Sequence, residues 1–364
     1  MNQTPREIVT KCLKFQRPAR LPRDLWYLPW AEQRYPQAIR ELLARFPPDL
    51  ATAPAVNKPS PREQGNGYAL GEYTDDWGCV FTNIQAGVFG EIKKPTVAEI
   101  AAWRSVKPPY ELFPDDLSAA RDQANRACAR TEKFVKAPCC PRPWERYQFL
   151  RGSENAFFDV MAPDEGMRDS LRVIHEYYLR ELEFWVTTDV DAVMFMDDWG
   201  AQRQLLIRPS LWRELFRPLY KDYCDLAHAH GKFIFMHSDG HIAAIYDDLV
   251  EIGVDALNSQ LFVMDMADLA RRAKGKLTFW GEIDRQHVLP APDPQAGRAA
   301  VREVARHFYD PRGGLIAQFE FGPGGNPAVA FAIFEEWEAV QREAEGEGQR
   351  RKLGGIVDMW LPKE

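Results

Sequence analysis

Ala192-Val-Met-Phe-Met196 running into Asp197-Asp198-Trp199-Gly200, and Lys232-Phe-Ile-Phe-Met236 running into His237-Ser238-Asp239-Gly240, are the stretches whose reading decides the fold. Each is a short apolar run that stops abruptly on polar residues, the pattern of a buried strand reaching a sheet edge. Three more segments obey the same rule: Asp255-Ala-Leu before Asn258-Ser-Gln260, Leu277-Thr-Phe-Trp280 before Gly281-Glu282-Ile283-Asp284, and Gly314-Leu-Ile-Ala-Gln318 before Phe319-Glu320-Phe321-Gly322. Helical apolar spacing fills the gaps at 209–230, 241–252, 264–273, 294–309 and 327–345. Such alternation predicts repeated βα units and a parallel sheet. Five consecutive strands ending in acids, His, Asn or Gln predict a polar ring on one face. That is how a (β/α)8 TIM barrel builds its site. An open doubly wound sheet also binds ligands at strand C-termini, but no glycine-rich dinucleotide turn is present.

Outward from this core the pattern loosens. The first 130 residues carry proline-rich joints and a polar segment, 63–74, with hairpin character. They predict an N-terminal extension of helices and a small antiparallel β-ribbon over the barrel mouth. Early barrel strands are expected at Asp49–Val56, Phe134–Ala137 and Ala156–Met161. Residues 1–345 read as one domain, with about 1–130 as its extension. Residues 346–364 read as a solvated linker and an apolar tail from Ile356 to Leu361.

With 364 residues, 45% apolar and 27% charged, the chain has material for a large core. Forty-six Lys and Arg against 53 Asp and Glu leave a net charge of -7, which offers a phosphate backbone no attractive field; no nucleic-acid partner is expected. No run approaches the ~18 to 20 apolar residues of a membrane-spanning helix and the start lacks a signal-type apolar region, so no membrane association and a cytoplasmic location are expected. The six cysteines, at 12, 79, 128, 139, 140 and 224, form no Cys-x-x-Cys pair and read as reduced thiols.

Chemistry is concentrated at the strand ends. His237 and Asp239 lie two residues apart, so both project to one face of a strand. With Glu282 and Glu320 from later strands they offer one imidazole and three carboxylates, a donor set for Zn²⁺, Mn²⁺ or Fe²⁺ with a position left open. The competing reading is a salt-bridge network with Arg203 or Arg285. Asp197 and Asp198 are paired carboxylates, suited to acid or base work because close carboxylates resist joint ionisation, or else to capping and backbone hydrogen bonds. Asn258 and Gln260 suit substrate orientation. Trp26, Tyr27, Trp30, Trp77, Trp199 and Trp280 are candidate pocket walls, with Trp77, Trp199 and Trp280 taken as substrate-binding. His228 and His230 read as partners of a helix C-terminus rather than ligands.

Thr4-Pro-Arg-Glu-Ile-Val9 with Arg17-Pro-Ala-Arg-Leu-Pro22, Asp76-Trp-Gly-Cys-Val-Phe81, Asp197-Asp-Trp-Gly200, His230-Gly-Lys with His237-Ser-Asp-Gly240, Ile252-Gly-Val-Asp-Ala-Leu-Asn258 and Phe279-Trp-Gly-Glu-Ile-Asp284 together resemble the uroporphyrinogen decarboxylase superfamily over nearly the whole chain. The resemblance implies a (β/α)8 barrel and one of two activities, cofactor-free porphyrinogen decarboxylation or zinc-dependent methyl transfer with a corrinoid protein. The decarboxylases grip their substrate's carboxylates with an Arg-rich N-terminal motif. Here that region reads Leu21-Pro-Arg-Asp-Leu-Trp-Tyr-Leu-Pro-Trp30, with only Arg20 and Arg23 nearby. The methyltransferase branch holds zinc through His-x-Cys and a later Cys. Here those positions read His237-Ser-Asp239 and the region of Glu320. An oxygen and nitrogen shell makes a harder, more electrophilic ion than thiolates do. The resemblance therefore implies a zinc methyltransferase that demethylates a small methylated, O-methyl aromatic substrate onto a corrinoid carried by a partner protein. A homodimer is compatible with it. The alternatives are a uroporphyrinogen decarboxylase-type carboxy-lyase and a non-catalytic ligand-binding barrel.

Overall fold

The computed structural model describes residues 3–358. Its strands are β1 (Trp26–Tyr27), β2 (Leu50–Thr52), β3 (Gly71–Thr74), β4 (Val80–Asn83), β5 (Glu91–Ile92), β6 (Phe134–Lys136), β7 (Ala192–Met196), β8 (Phe233–Ser238), β9 (Ala256–Ser259), β10 (Thr278–Trp280), β11 (Leu315–Ile316) and β12 (Glu320–Phe321). Seven form one parallel sheet in the order β11-β10-β9-β8-β7-β6-β2. The segment around β1 closes it. On one side β1 runs parallel to β12, and Arg23 pairs with Ala317. On the other, the Asp49 amide donates to the Arg23 carbonyl at 2.8 Å. Residues 315–321 act as one stave, giving the eight staves of a TIM barrel.

Period-two alternation sets what the lumen sees. In β8, Phe233 and Phe235 pack with Phe134, Ala192 and Trp280 in the barrel interior, while Ile234 and Met236 join the outer core under the helices. The N-terminal end of the barrel is plugged. Helix Pro5–Leu13 starts with a capping box, Thr4 against Glu7, and buries Val9, Cys12 and Leu13 against Leu50, Phe134 and Ile316. Solvent and ligands therefore enter from the C-terminal mouth.

The early strands at Asp49–Val56 and Phe134–Ala137 appear as β2 and β6. The third expectation fails: Ala156–Met161 belongs to the helix Ser153–Met161. Its buried residues, Ala156 and Val160, stand four apart, a helical spacing, and Phe158 is left exposed. The missing stave is β1, two aromatic residues read from the sequence as pocket wall. The antiparallel ribbon β3-β4-β5 pairs Tyr73 with Phe81 and Phe81 with Ile92. It lies in the long connection that leaves β2 at its C-terminal end, so it reaches the mouth side, where Trp30 donates its amide to the Gly87 carbonyl at 3.1 Å. The last helix, Pro327–Asp358, continues through residues 346–358, where the sequence suggested a linker. The tail beyond Asp358 lies outside the described residues. All six cysteines are free. Among the described residues no helix is long and apolar enough to cross a membrane.

Candidate metal centre at the barrel mouth

The loops after β7 and β8 are fastened to each other. The Asp239 amide donates to Asp198 Oδ1 (2.9 Å), the Gly200 amide to the Asp239 carbonyl (2.9 Å) and the Trp199 amide to Ser238 Oγ (3.1 Å). Gly200 and Gly240 meet backbone to backbone; Gly240 has φ +76°, and a Cβ there would overlap the Gly200 carbonyl. Two motifs that are remote in sequence thus present Asp198, His237 and Asp239 at one point. One ligand atom from each lies within 4.8 Å of the others.

His237 is buried, and its ring is oriented from behind. Asn258 donates its Nδ2 to the Trp280 carbonyl (2.5 Å) and to Gln318 Oε1 (2.9 Å), which turns its Oδ1 toward His237 Nδ1 at 2.6 Å. Since a backbone carbonyl only accepts, the amide orientation is fixed, and Nδ1 carries the proton. Nε2 then faces the mouth, 3.6 Å from Asp198 Oδ1 and 3.5 Å from Asp239 Oδ1. An imidazole lone pair aimed at two carboxylates is repulsive, and either a proton on Nε2 or a cation between the three groups relieves it. Burial opposes charge on His237, yet Asp239 and Asp198 outweigh it and hold its pKa above the ordinary histidine value. Asp239 Oδ1 is buried without a hydrogen-bond partner. A fixed tautomer, converging oxygens and an orphaned acceptor fit a divalent ion.

The expected ligands from the later strands settle elsewhere. Arg285 Nη1 holds Glu320 Oε1 at 2.7 Å, Arg285 Nη2 pairs with Asp239 Oδ2, and Arg285 Nε lies 3.6 Å from Glu282 Oε1. Glu282 is 2% exposed, neither of its oxygens has a hydrogen-bond partner, and burial pushes its carboxyl up to about 8. The sequence placed Glu282 or Glu320 in the ligand set; the structure puts Asp198 there instead, because the arginine takes up the two glutamates. Asp197, expected beside Asp198 in chemistry, points the other way. It is fully buried and accepts from the Trp144 amide (2.9 Å), the Glu145 amide (2.7 Å) and Tyr220 Oη (2.6 Å), closing the N-terminus of helix Pro143–Arg151. Glu145, which the sequence did not single out, is a further buried acid within electrostatic reach of Asp198 and His237. Its carboxyl is pushed up to about 7, chiefly by burial, and Oε2 is buried without a partner.

The wall residues also sort themselves. Trp199 is fully buried, stacked on Trp144 at 5.2 Å, with Nε1 donating to Tyr220 Oη; it is core. Trp77 is buried under the ribbon against Tyr177 and Arg146. Trp280 lines the barrel interior but is covered by Trp26, whose ring meets it edge-on at 4.9 Å and lies 5.3 Å from His237. Asn258 is fully buried behind His237 and acts on the ring rather than on a ligand. Gln260 accepts from the Gly240 amide and lines a small cleft with Glu282 and Arg285. On the lumen side Thr52 is exposed, and Trp26, Met194 and Met196 are half-buried. Lys136 also points there and was missed. Its signal was a lysine two residues after Phe134 in an otherwise apolar strand.

An eight-stave barrel with its polar cluster at the strand C-termini defines a TIM-barrel protein with a mouth site. The family model for uroporphyrinogen decarboxylase matches residues 119–332, well over half of the chain, and the chain belongs to that family. The family includes both decarboxylases and methyltransferases. Among solved structures the chain is similar to a methyltransferase from Methanosarcina mazei, with a TM-score of 0.66 at 11% identity over 93% of this chain and 99% of that one, a likeness of fold. A putative vitamin-B12 independent methionine synthase from Listeria monocytogenes overlaps less, with a TM-score of 0.37 at 14% identity over 64% of this chain and 69% of that one, and adds nothing to the assignment. No curated protein matches the sequence.

Proposed function

We propose that the protein is a metal-dependent methyltransferase that removes the methyl group of a small O-methyl aromatic substrate and passes it to a corrinoid carried by a separate partner protein. The observation that carries this reading is the His237 Nε2 lone pair, fixed by Asn258 and facing Asp198 and Asp239. Those three residues would hold zinc. Bound there in an oxygen and nitrogen shell, it supplies Lewis acidity toward the ether oxygen. The rest is work for the chain. Asn258 keeps His237 in the ligating tautomer. Glu145 holds a proton near neutral pH at the edge of the site and can deliver it from Oε2 to the departing phenolate oxygen. Arg285 neutralises the surplus acids at the rim. The Methanosarcina neighbour, itself a methyltransferase, agrees with this reading.

Porphyrinogen decarboxylation fits the mouth poorly. Arg20 is bound to buried Asp49, and Arg23 pairs with Glu338 at 3.3 Å over the Phe46 ring, so neither offers a grip for a polycarboxylate. Asp198 and Asp239 face the mouth beside His237, which offers a polycarboxylate no cationic pocket. The test is metal content by elemental mass spectrometry on untagged wild type and His237→Ala, with demethylation of methoxylated aromatics followed in the presence of a corrinoid acceptor. About one equivalent of zinc in the wild type, lost with activity in the variant, is expected. A wild type without metal, or a variant with full activity, refutes the metal mechanism.

A further inference from the structure

Lys136 ends β6 inside the barrel. Its side chain is 7% exposed, and its ammonium lies 4.2 Å over the Trp280 ring and 5.6 Å from the Trp26 ring. Asp24 is the acid nearest in effect, but its oxygens are engaged, Oδ1 by the Leu25 amide and Oδ2 by Trp280 Nε1. Nζ makes no hydrogen bond or ion pair within 4 Å among the described residues. A largely buried ammonium with no protein acceptor is poorly compensated, and a cation–π contact offsets only part of that. Burial lowers the lysine's pKa and Asp24 holds it up, so an anion supplied from outside would complete the site.

The anion has a route in. Thr52, exposed on the lumen, is the register partner of Lys136, and half-buried Met194 lies on the same inner surface. Trp26 is the common wall: Nζ stands 5.6 Å from its ring, and the His237 ring 5.3 Å from it. The lysine and the His237 ring thus share one neighbouring indole.

We propose that Lys136 anchors an anionic group of the substrate, so that the ligands of this barrel are methoxylated aromatic carboxylates rather than neutral methyl ethers. This deepens the methyltransferase reading by naming its substrate class, and its test is made on protein stripped of metal by a chelator, so that it stands or falls separately. Isothermal titration with 4-methoxybenzoate and with its neutral isostere 4-methoxytoluene measures the discrimination directly. A charge-assisted contact predicts that wild type binds the carboxylate about tenfold more tightly or better. Lys136→Met abolishes that preference, and Lys136→Arg keeps part of it. Because Lys136→Met leaves Asp24 uncompensated, the double variant Asp24→Asn/Lys136→Met serves as the charge-balanced control and also loses the preference. Equal binding of the two compounds by wild type, no binding of either, or undiminished carboxylate binding by the folded double variant overturns the proposal. His237→Ala keeps carboxylate binding if the anchor is correct, even if no metal is found in the wild type.

Discussion

The ends of β7 and β8 and the ends of β10 and β12 carry the same residue types, yet they settle their charge in different ways. At the first pair, Asp198 and Asp239 Oδ1 face a histidine nitrogen with no arginine between them. At the second, Glu282 and Glu320 face Arg285, which also reaches across to the outer oxygen of Asp239. A guanidinium brings its own positive charge and five donors, so Glu320 and the outer oxygen of Asp239, which it holds directly, are compensated, while Glu282, 3.6 Å from Arg285 Nε and without a hydrogen bond, is compensated only in part. An imidazole with one proton tied up behind presents Nε2 to the carboxylates, which are compensated there by a second proton on the ring or by a cation from outside. The difference between a salt-bridge network and a candidate metal site here is thus which base stands among the acids.

Three perturbations test that contrast. The largest effect is expected from Asn258→Leu, which removes the acceptor behind His237 and frees the ring; zinc affinity by competitive chelator titration should fall by about 10- to 100-fold while the circular dichroism of the barrel is retained. An affinity within twofold of wild type would show that the tautomer lock does not matter. Next, Arg285→Gln should release Asp239, Glu282 and Glu320 from their partner and raise the affinity for a divalent ion by about tenfold. An unchanged affinity would mean that the arginine and the ion do not compete. The smallest effect concerns Glu282 alone in metal-free protein. Its folded carboxyl is raised to about 8, so both states are protonated below the unfolded value, and stability is lost as pH rises from there through the folded value. Glu282→Gln should therefore match wild type in melting temperature near pH 4 and exceed it by a few degrees at pH 8 to 9. A difference that does not grow with pH would show that the buried carboxylate is compensated after all.

Legibility in the sequence followed the length of the signal. Five strands from Ala192 onward, each an apolar run with a polar stop, were readable because a buried parallel strand needs continuous apolarity and its exit needs polarity. The stave at Trp26–Tyr27 was not, since two residues carry no period. Ala156–Met161 misled because a short apolar run suits a strand or a helix equally well until its neighbours are known. Within the site, His237 and Asp239 were visible from their spacing on one strand. Asp198 and Asp197 were visible only as a pair, and nothing local separates the one that faces the mouth from the one that closes the helix at Trp144.

By itself the sequence determined the barrel and the end of it where the polar strand ends gather, and it offered His237 as a candidate, because periodicity and strand-end polarity are written within ten residues of each position. Tertiary structure alone decided that Asp198 rather than Glu320 joins His237, that Arg285 removes two glutamates from contention, and that Lys136 stands between two tryptophans with no partner of its own. Those outcomes depend on which side chains meet across a closed barrel from strands as far apart in the chain as those of Lys136 and Trp280. Charge compensation acts through distance in space, and one-dimensional spacing does not record it.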